Sequence, residues 1–78
     1  MTAEPLVLRF HRSLYATDAV RAAVARFSSL VGGTSVEEVE ADVMVTLTDV
    51  PDRLRGRIAD EVGNHALFET IVARRQGS

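Results

Sequence analysis

The stretch SVEEVEADVMVTLT, residues 35–48, decides which fold the chain can adopt. Its second half, residues 43–48, is rich in β-branched side chains and alternates, which predicts a strand whose first, third and fifth side chains face a core. The first half has two interpretations. A hydroxyl residue followed by glutamate resembles the capping box that begins a helix, whereas a strand over residues 36–40 that turns at residues 41–42 would complete a hairpin. We predict the hairpin, because too few residues remain before Val43 for a helix.

The segments on either side of this hairpin predict one more strand and two helices. LVLRF, residues 6–10, alternates and predicts a half-buried strand. An amphipathic helix follows, with Thr17 as its N-cap and the glycine pair at 32–33 at its end, where glycine readily adopts the left-handed conformation. A long second helix is predicted to carry Pro51 in its first turn, with Asp49 as N-cap. The apolar stripe of the first helix comprises Val20, Ala23, Val24, Phe27, Leu30 and Val31.

The predicted order is therefore strand, helix, strand, strand, helix within one domain of 78 residues. This order predicts an α+β fold in which two helices pack on one face of a small antiparallel sheet. It corresponds to a ferredoxin-like split β-α-β arrangement that lacks the last strand, and it leaves sheet edges open.

Composition excludes several classes of protein. The chain contains no cysteine, which excludes disulfides, thiolate metal sites and cysteine nucleophiles and suits a reducing compartment. No apolar run reaches the ~20 residues of a membrane span, and the first residues do not resemble a signal peptide, so we expect a cytoplasmic protein that does not bind membranes. The net charge of −2 argues against nucleic-acid binding, which usually requires a basic face.

The sequence contains no arrangement of side chains typical of an active site. His11 and His65 have no metal-ligand spacing, no serine lies in a G-x-S-x-G motif, and the glycine pair is not a phosphate-binding loop. The acidic residues 37–42 lack the glycine-centred loop of a calcium site, and we interpret them as a solvated strand edge. We therefore predict that the protein is not an enzyme and binds neither a metal nor a cofactor.

The last predicted helix carries a second apolar pair outside its predicted core face. Leu67 and Ile71 lie roughly opposite that face, which predicts an interface with a partner. Alternatively, Gly63 breaks or rotates the helix and both side chains join the core. Tyr15 is the one aromatic residue outside the predicted core faces, and its hydroxyl could form a hydrogen bond at the corner between strand and helix. The predicted core face comprises Leu54, Ile58, Val62, His65, Phe68 and Val72.

Four segments of the chain resemble, in their sequence and in their order, the HxsD-like family of short accessory proteins. The family is encoded beside radical-SAM enzymes that modify ribosomally made peptides, including the His-Xaa-Ser system. The resemblance covers nearly the whole chain. Within its last segment, His65 stands where the family commonly has tyrosine, and no cysteine occupies the position of Gly63. The segments are Leu14-Tyr15, Asp18-Ala19-Val20 with Ala23, the strand at 43–47, and Asp60–Leu67, in which Glu61, Val62, Gly63, Asn64 and Leu67 match the family pattern.

The resemblance implies a non-catalytic component of a peptide-maturation system. Such a protein would bind the precursor peptide, the radical-SAM enzyme, or both. An extended leader peptide could add as a strand to an open sheet edge, while Leu67 and Ile71 could dock the enzyme beside the amide of Asn64. The candidate partner-binding residues are Tyr15, Gly63, Asn64, Leu67 and Ile71.

Two other functions remain open on the sequence. The first is a self-associating, ferredoxin-like regulatory domain that forms a homodimer and senses a small ligand. The second is a metal-dependent enzyme that uses His11 and His65.

Overall fold

The computed structural model describes residues 4–76 and has the predicted α+β order. A 3₁₀ turn, Ser28–Leu30, follows the first helix, and another, Asp52–Leu54, precedes the second. The strands are β1 (Leu6–His11), β2 (Gly33–Val39) and β3 (Asp42–Thr48), and the helices are α1 (Thr17–Phe27) and α2 (Arg55–Gln76).

Within residues 4–76 the strands form one antiparallel sheet in the order β1-β3-β2. The hairpin interpretation of residues 35–48 is confirmed, but β2 begins at Gly33 and the turn lies one residue earlier than predicted. Val39 pairs with Asp42, so the turn consists of Glu40 and Ala41. Glu40 has a positive φ of 55°. The favoured two-residue hairpin turns place a positive φ at the first of their two residues.

The core lies between the inner face of the sheet and both helices. The inward residues of β3, which are Val43, Val45 and Leu47, are fully buried, and Phe10 of β1 lies beside them. The predicted alternation of β1 is confirmed, since Val7 points outward and is exposed. The remaining core residues come from α1, from Val50, and from α2: Val20, Ala23, Val24, Phe27, Val50, Ile58, Val62 and Ala66.

The glycine pair does not end α1 in the way that the sequence predicted. The helix ends at Phe27, Leu30 is half-exposed, and no glycine among the described residues has a positive φ. The pair instead permits close approach of two chain segments: the Gly32 N–H donates to the Thr48 carbonyl at 2.8 Å. A Cβ on Gly32 would lie only 2.6 Å from the Cβ of Asp49.

Both predicted N-caps are wrong. Thr17 is the first residue of α1, and the cap position belongs to Ala16. The Ala16 N–H donates to the Thr70 hydroxyl of α2 at 3.0 Å, so a distant side chain takes over the role of a local cap. Asp49 has a left-handed backbone (φ 53°), and α2 begins only after the 3₁₀ turn that follows Pro51.

The core face of α2 is rotated from the predicted face. The buried residues recur every four positions at Ile58, Val62, Ala66 and Thr70. Phe68, which was predicted to be in the core, is 60% exposed, so that prediction is wrong. A row with a spacing of four drifts slowly around a helix, and this row follows the crevice between α1 and the sheet.

Candidate partner-binding surface

α2 carries three large apolar side chains that are open to solvent. The helix is continuous from Arg55 to Gln76, so the interpretation in which Gly63 breaks it is wrong. Leu67 and Ile71 are each 45% exposed, and Phe68 adjoins them. Residues three and four apart are neighbours on a helix surface, so the three form one contiguous surface. We call Leu67, Phe68 and Ile71 the α2 apolar patch.

Asn64 lies at the edge of this patch. It is exposed and precedes Leu67 by three positions and Phe68 by four, which places it on the same side of α2. Three of the five candidate residues, Asn64, Leu67 and Ile71, are thus brought together. The sequence analysis does not place Phe68 in this patch. Phe68 follows His65 by three positions, and this spacing predicts that it lies on the core face. No local pattern separates Phe68 from the core residues, because its exposure depends on how α2 is rotated against α1.

Gly63 lies on the side of α2 that faces the sheet. A Cβ at this position would come within 4.0 Å of Cε1 of Phe10, an ordinary van der Waals distance. Gly63 is therefore a packing position over β1 and lies outside the α2 apolar patch.

Tyr15 is also separate from the patch. Its ring is half-buried and packs edge-on against Phe10, with ring centroids 5.0 Å apart and an interplanar angle of 70°. Such a T-shaped arrangement is favourable for aromatic pairs. Tyr15 therefore closes the core at the corner between β1 and α1.

A groove of about 420 Å³ lies beside Phe68, between α2 and α1. The ring of His65 forms part of its wall and packs at a tilt against Phe27, with centroids 5.7 Å apart. The guanidinium, amide and carboxylate groups around it can form hydrogen bonds and ion pairs with a polar group that approaches the patch. The groove is lined by Arg26, Asn64, His65, Phe68 and Glu69.

Two arginines on α2 bind backbone carbonyls at opposite ends of the helix. Arg55 donates from Nη1 to the Glu4 carbonyl at 2.6 Å, and Arg74 donates from Nη2 to the Ser13 carbonyl at 3.0 Å. Neither guanidinium group has a carboxylate oxygen within 4.0 Å among residues 4–76. The ion pairs found in that part of the chain involve other arginines: Arg9–Asp42 at 3.5 Å, Arg12–Glu38 at 3.3 Å and Arg57–Glu61 at 3.2 Å.

The two histidines lie in different surroundings. His11 is at the end of β1, where its Nδ1 lies 2.8 Å from the Ser13 hydroxyl. The Ser13 N–H also donates to this nitrogen at 3.4 Å, so the contact stabilises the turn after β1. His65 packs between the helices. In the described part of the chain, no group of three or more histidine, aspartate or glutamate side chains is placed to hold a metal ion.

The helices of residues 4–76 include none that is long and apolar enough to cross a membrane. Comparisons with models of protein families, with curated proteins and with solved structures find no match to this chain. The resemblance to the HxsD-like family therefore stays a prediction.

Proposed function

We propose that this protein is a non-catalytic binding protein that docks a partner on the α2 apolar patch. The observation that carries the proposal is the exposure of Leu67, Phe68 and Ile71 side by side on one helix face. Burial of such a side chain contributes about 1.5–3 kcal/mol, so covering half of each would add roughly 1 kcal/mol per residue. Contiguous apolar surface of this kind is typical of interaction sites.

The surroundings of the patch have the polar rim that interfaces usually carry. Asn64 lies at its edge, and the groove beside Phe68 adds Arg26 and Glu69. Interfaces commonly combine an apolar centre with polar groups at the margin that set the orientation of the partner.

The resemblance to the HxsD-like family supports a more specific proposal about the partner. The protein would act in the maturation of ribosomally synthesised peptides, without a cofactor of its own, and bind the radical-SAM enzyme, the precursor peptide, or both. The cytoplasmic location expected from a chain without cysteine belongs to the same proposal.

Calorimetric titration with the radical-SAM enzyme and the precursor peptide encoded beside this protein tests the proposal. Ile71→Ser should weaken binding of at least one of them about tenfold, because it removes apolar surface from the centre of the patch. Val39→Ser is the matched control, since Val39 on β2 has the same exposed fraction of 45% and lies outside the patch. Equal affinities for the two variants, or no binding of either partner, would contradict the proposal.

A self-associating regulatory domain is the second candidate function. The groove between α1 and α2 favours it, because about 420 Å³ lies within the usual range for a small-molecule site. Sedimentation equilibrium that shows a stable homodimer, together with calorimetric binding of a metabolite and no affinity for the peptide or the enzyme, would favour this candidate over the first.

A further inference from the structure

We propose that the free edge of β1 binds an extended, acidic peptide segment as a fourth strand of the sheet, beneath the flank of α2. This inference deepens the proposed function and rests on it, because it assigns the conformation and the charge of the bound segment.

The outer edge of β1 is open. β1 pairs with β3 through six consecutive residues, from Leu6 opposite Leu47 to His11 opposite Asp42, and no other strand in the described part of the chain lies beside it. Its pairing is continuous, so no bulge interrupts it, and it contains neither proline nor lysine. Such an edge presents unpaired N–H and carbonyl groups at every second residue, which an extended chain can bind.

α2 runs along this edge in the same direction as β1. Arg55, at the start of α2, contacts the carbonyls of Glu4 and Pro5 just before β1. Gly63 packs over Phe10, and Arg74 contacts the carbonyl of Ser13 just after β1. A strand added to β1 would therefore lie next to the flank of α2 along its whole length.

Apolar side chains on both sides of this position remain partly uncovered. Leu6 and Leu8 point to the inner face of the sheet but are only half-buried, whereas the inward side chains of β3 are fully buried. Leu67 follows Gly63 by four positions, about 40° around the helix, so it lies at the border between the side of α2 that faces β1 and the α2 apolar patch. Ile71 lies about 80° from Gly63 and farther toward solvent. Alternate side chains of an added strand would point to this same face and cover them.

The charges at the two ends of the edge define the chemistry of the segment. Arg55 lies at one end of β1 and Arg74 at the other, and both use their donors on backbone carbonyls. A guanidinium group has five donors in a fixed fork, so each arginine can still pair with a carboxylate in a well-defined geometry. The complementary segment therefore has acidic residues at both ends and apolar residues at alternate positions between them.

A second copy of this chain fits the edge less well. Antiparallel pairing of two β1 strands would bring the Arg55 end of one copy to the Arg74 end of the other, which places like charges together. The acidic strand β2 has a suitable charge, but its inward positions are Thr34, Val36 and Glu38, so only one of them is apolar. The charges and the apolar surface together favour a peptide from another protein.

Fluorescence anisotropy with synthetic peptides of about ten residues tests the proposal. The first peptide has alternating valine and threonine with two glutamates at each end, and the second replaces the glutamates with lysines. The first should bind at least about tenfold more tightly at low salt. A third peptide with a central proline should lose binding, because proline cannot donate to a strand ladder. Hydrogen exchange should show new protection of β1 amides by the first peptide.

Two equally exposed apolar residues provide matched variants. Leu67→Ser should weaken binding of the acidic peptide about tenfold, whereas Val39→Ser, on β2 at the far edge of the sheet, should leave it unchanged. Both side chains are 45% exposed, so both variants should fold. Replacing Arg55 and Arg74 together with glutamine should remove the preference for the acidic peptide over the lysine peptide.

Three results would overturn the inference: no saturable binding of the acidic peptide up to about 1 mM, equal binding of the lysine peptide, or equal affinity of Leu67→Ser and Val39→Ser for the acidic peptide. A homodimer in sedimentation that dissociates in Leu67→Ser would also overturn it, in favour of a second copy at the edge. The proposed function fails on a different result, namely equal binding of the natural partners by Ile71→Ser and Val39→Ser.

Discussion

At the scale of single residues, Thr70 connects the two helices through one hydrogen bond. It is 1% exposed, and its hydroxyl oxygen accepts from the N–H of Ala16, the residue that precedes α1. The first N–H groups of a helix have no partner within the helix and need one from elsewhere. A side chain 54 positions away supplies it here, so the start of α1 depends on the position of α2.

Thr70→Val should lower the free energy of unfolding by about 1–3 kcal/mol, because it retains the shape of the side chain but leaves a partly buried N–H without an acceptor. Urea denaturation followed by circular dichroism measures the loss. Thr17→Val is the matched control. Within residues 4–76 the Thr17 side chain has no hydrogen-bond partner, so this variant should change stability by less than about 0.5 kcal/mol. A larger loss for Thr17→Val than for Thr70→Val would restore Thr17 as the cap.

At the scale of the elements, α2 combines three roles around its circumference. One side packs on α1 and the sheet, a second side lies over β1 at Gly63, and the third carries the α2 apolar patch. A helix with apolar residues on more than one side is typical of an element that packs in the core and also binds a partner.

Gly63→Ala should raise the free energy of unfolding by up to about 1 kcal/mol, because alanine is the better helix former and its Cβ would meet Phe10 at an ordinary contact distance. Gly32→Ala should have the opposite sign, since its Cβ would overlap the side chain of Asp49. Thermal and urea unfolding of the two variants provide the comparison. Destabilisation by Gly63→Ala would mean that α2 packs too closely on Phe10 to admit a Cβ at this position.

The whole molecule has a thin core for its size. The sheet is covered by helices on one face only, and the buried side chains are mostly valine and alanine. A domain of this length buries a smaller fraction of its surface than a larger one, so its stability should lie toward the low end of the usual range of about 5–15 kcal/mol. Individual core side chains therefore account for a large share of the total.

Leu47→Ala should remove about 2–5 kcal/mol, because Leu47 is the largest of the fully buried side chains and truncation leaves a cavity beneath both helices. A loss at the upper end of this range would leave much of the protein unfolded at 37 °C, which calorimetry and circular dichroism can measure. Leu14→Ala is the control, since Leu14 is 59% exposed and should cost little. Similar losses for the two variants would contradict the described core.

The amino-acid sequence by itself determined the order of the elements, the hairpin and the inward residues of β1 and β3. These features depend on alternation over a few residues, on turns and on local length, so they need no knowledge of distant segments. The sequence also identified Leu67 and Ile71 as residues outside the core face of the last helix.

Only the tertiary structure decided how α2 is rotated against the core and which residues contact it. Periodicity shows which residues share a helix face, but the burial of one flank depends on what packs there, and so Phe68 is exposed while Ala66 and Thr70 are buried. The hydrogen bond between Ala16 and Thr70 likewise joins segments that meet only after folding. The position of α2 along the free edge of β1 was also decided only by the tertiary structure, because the packing of a helix on a sheet depends on the whole core.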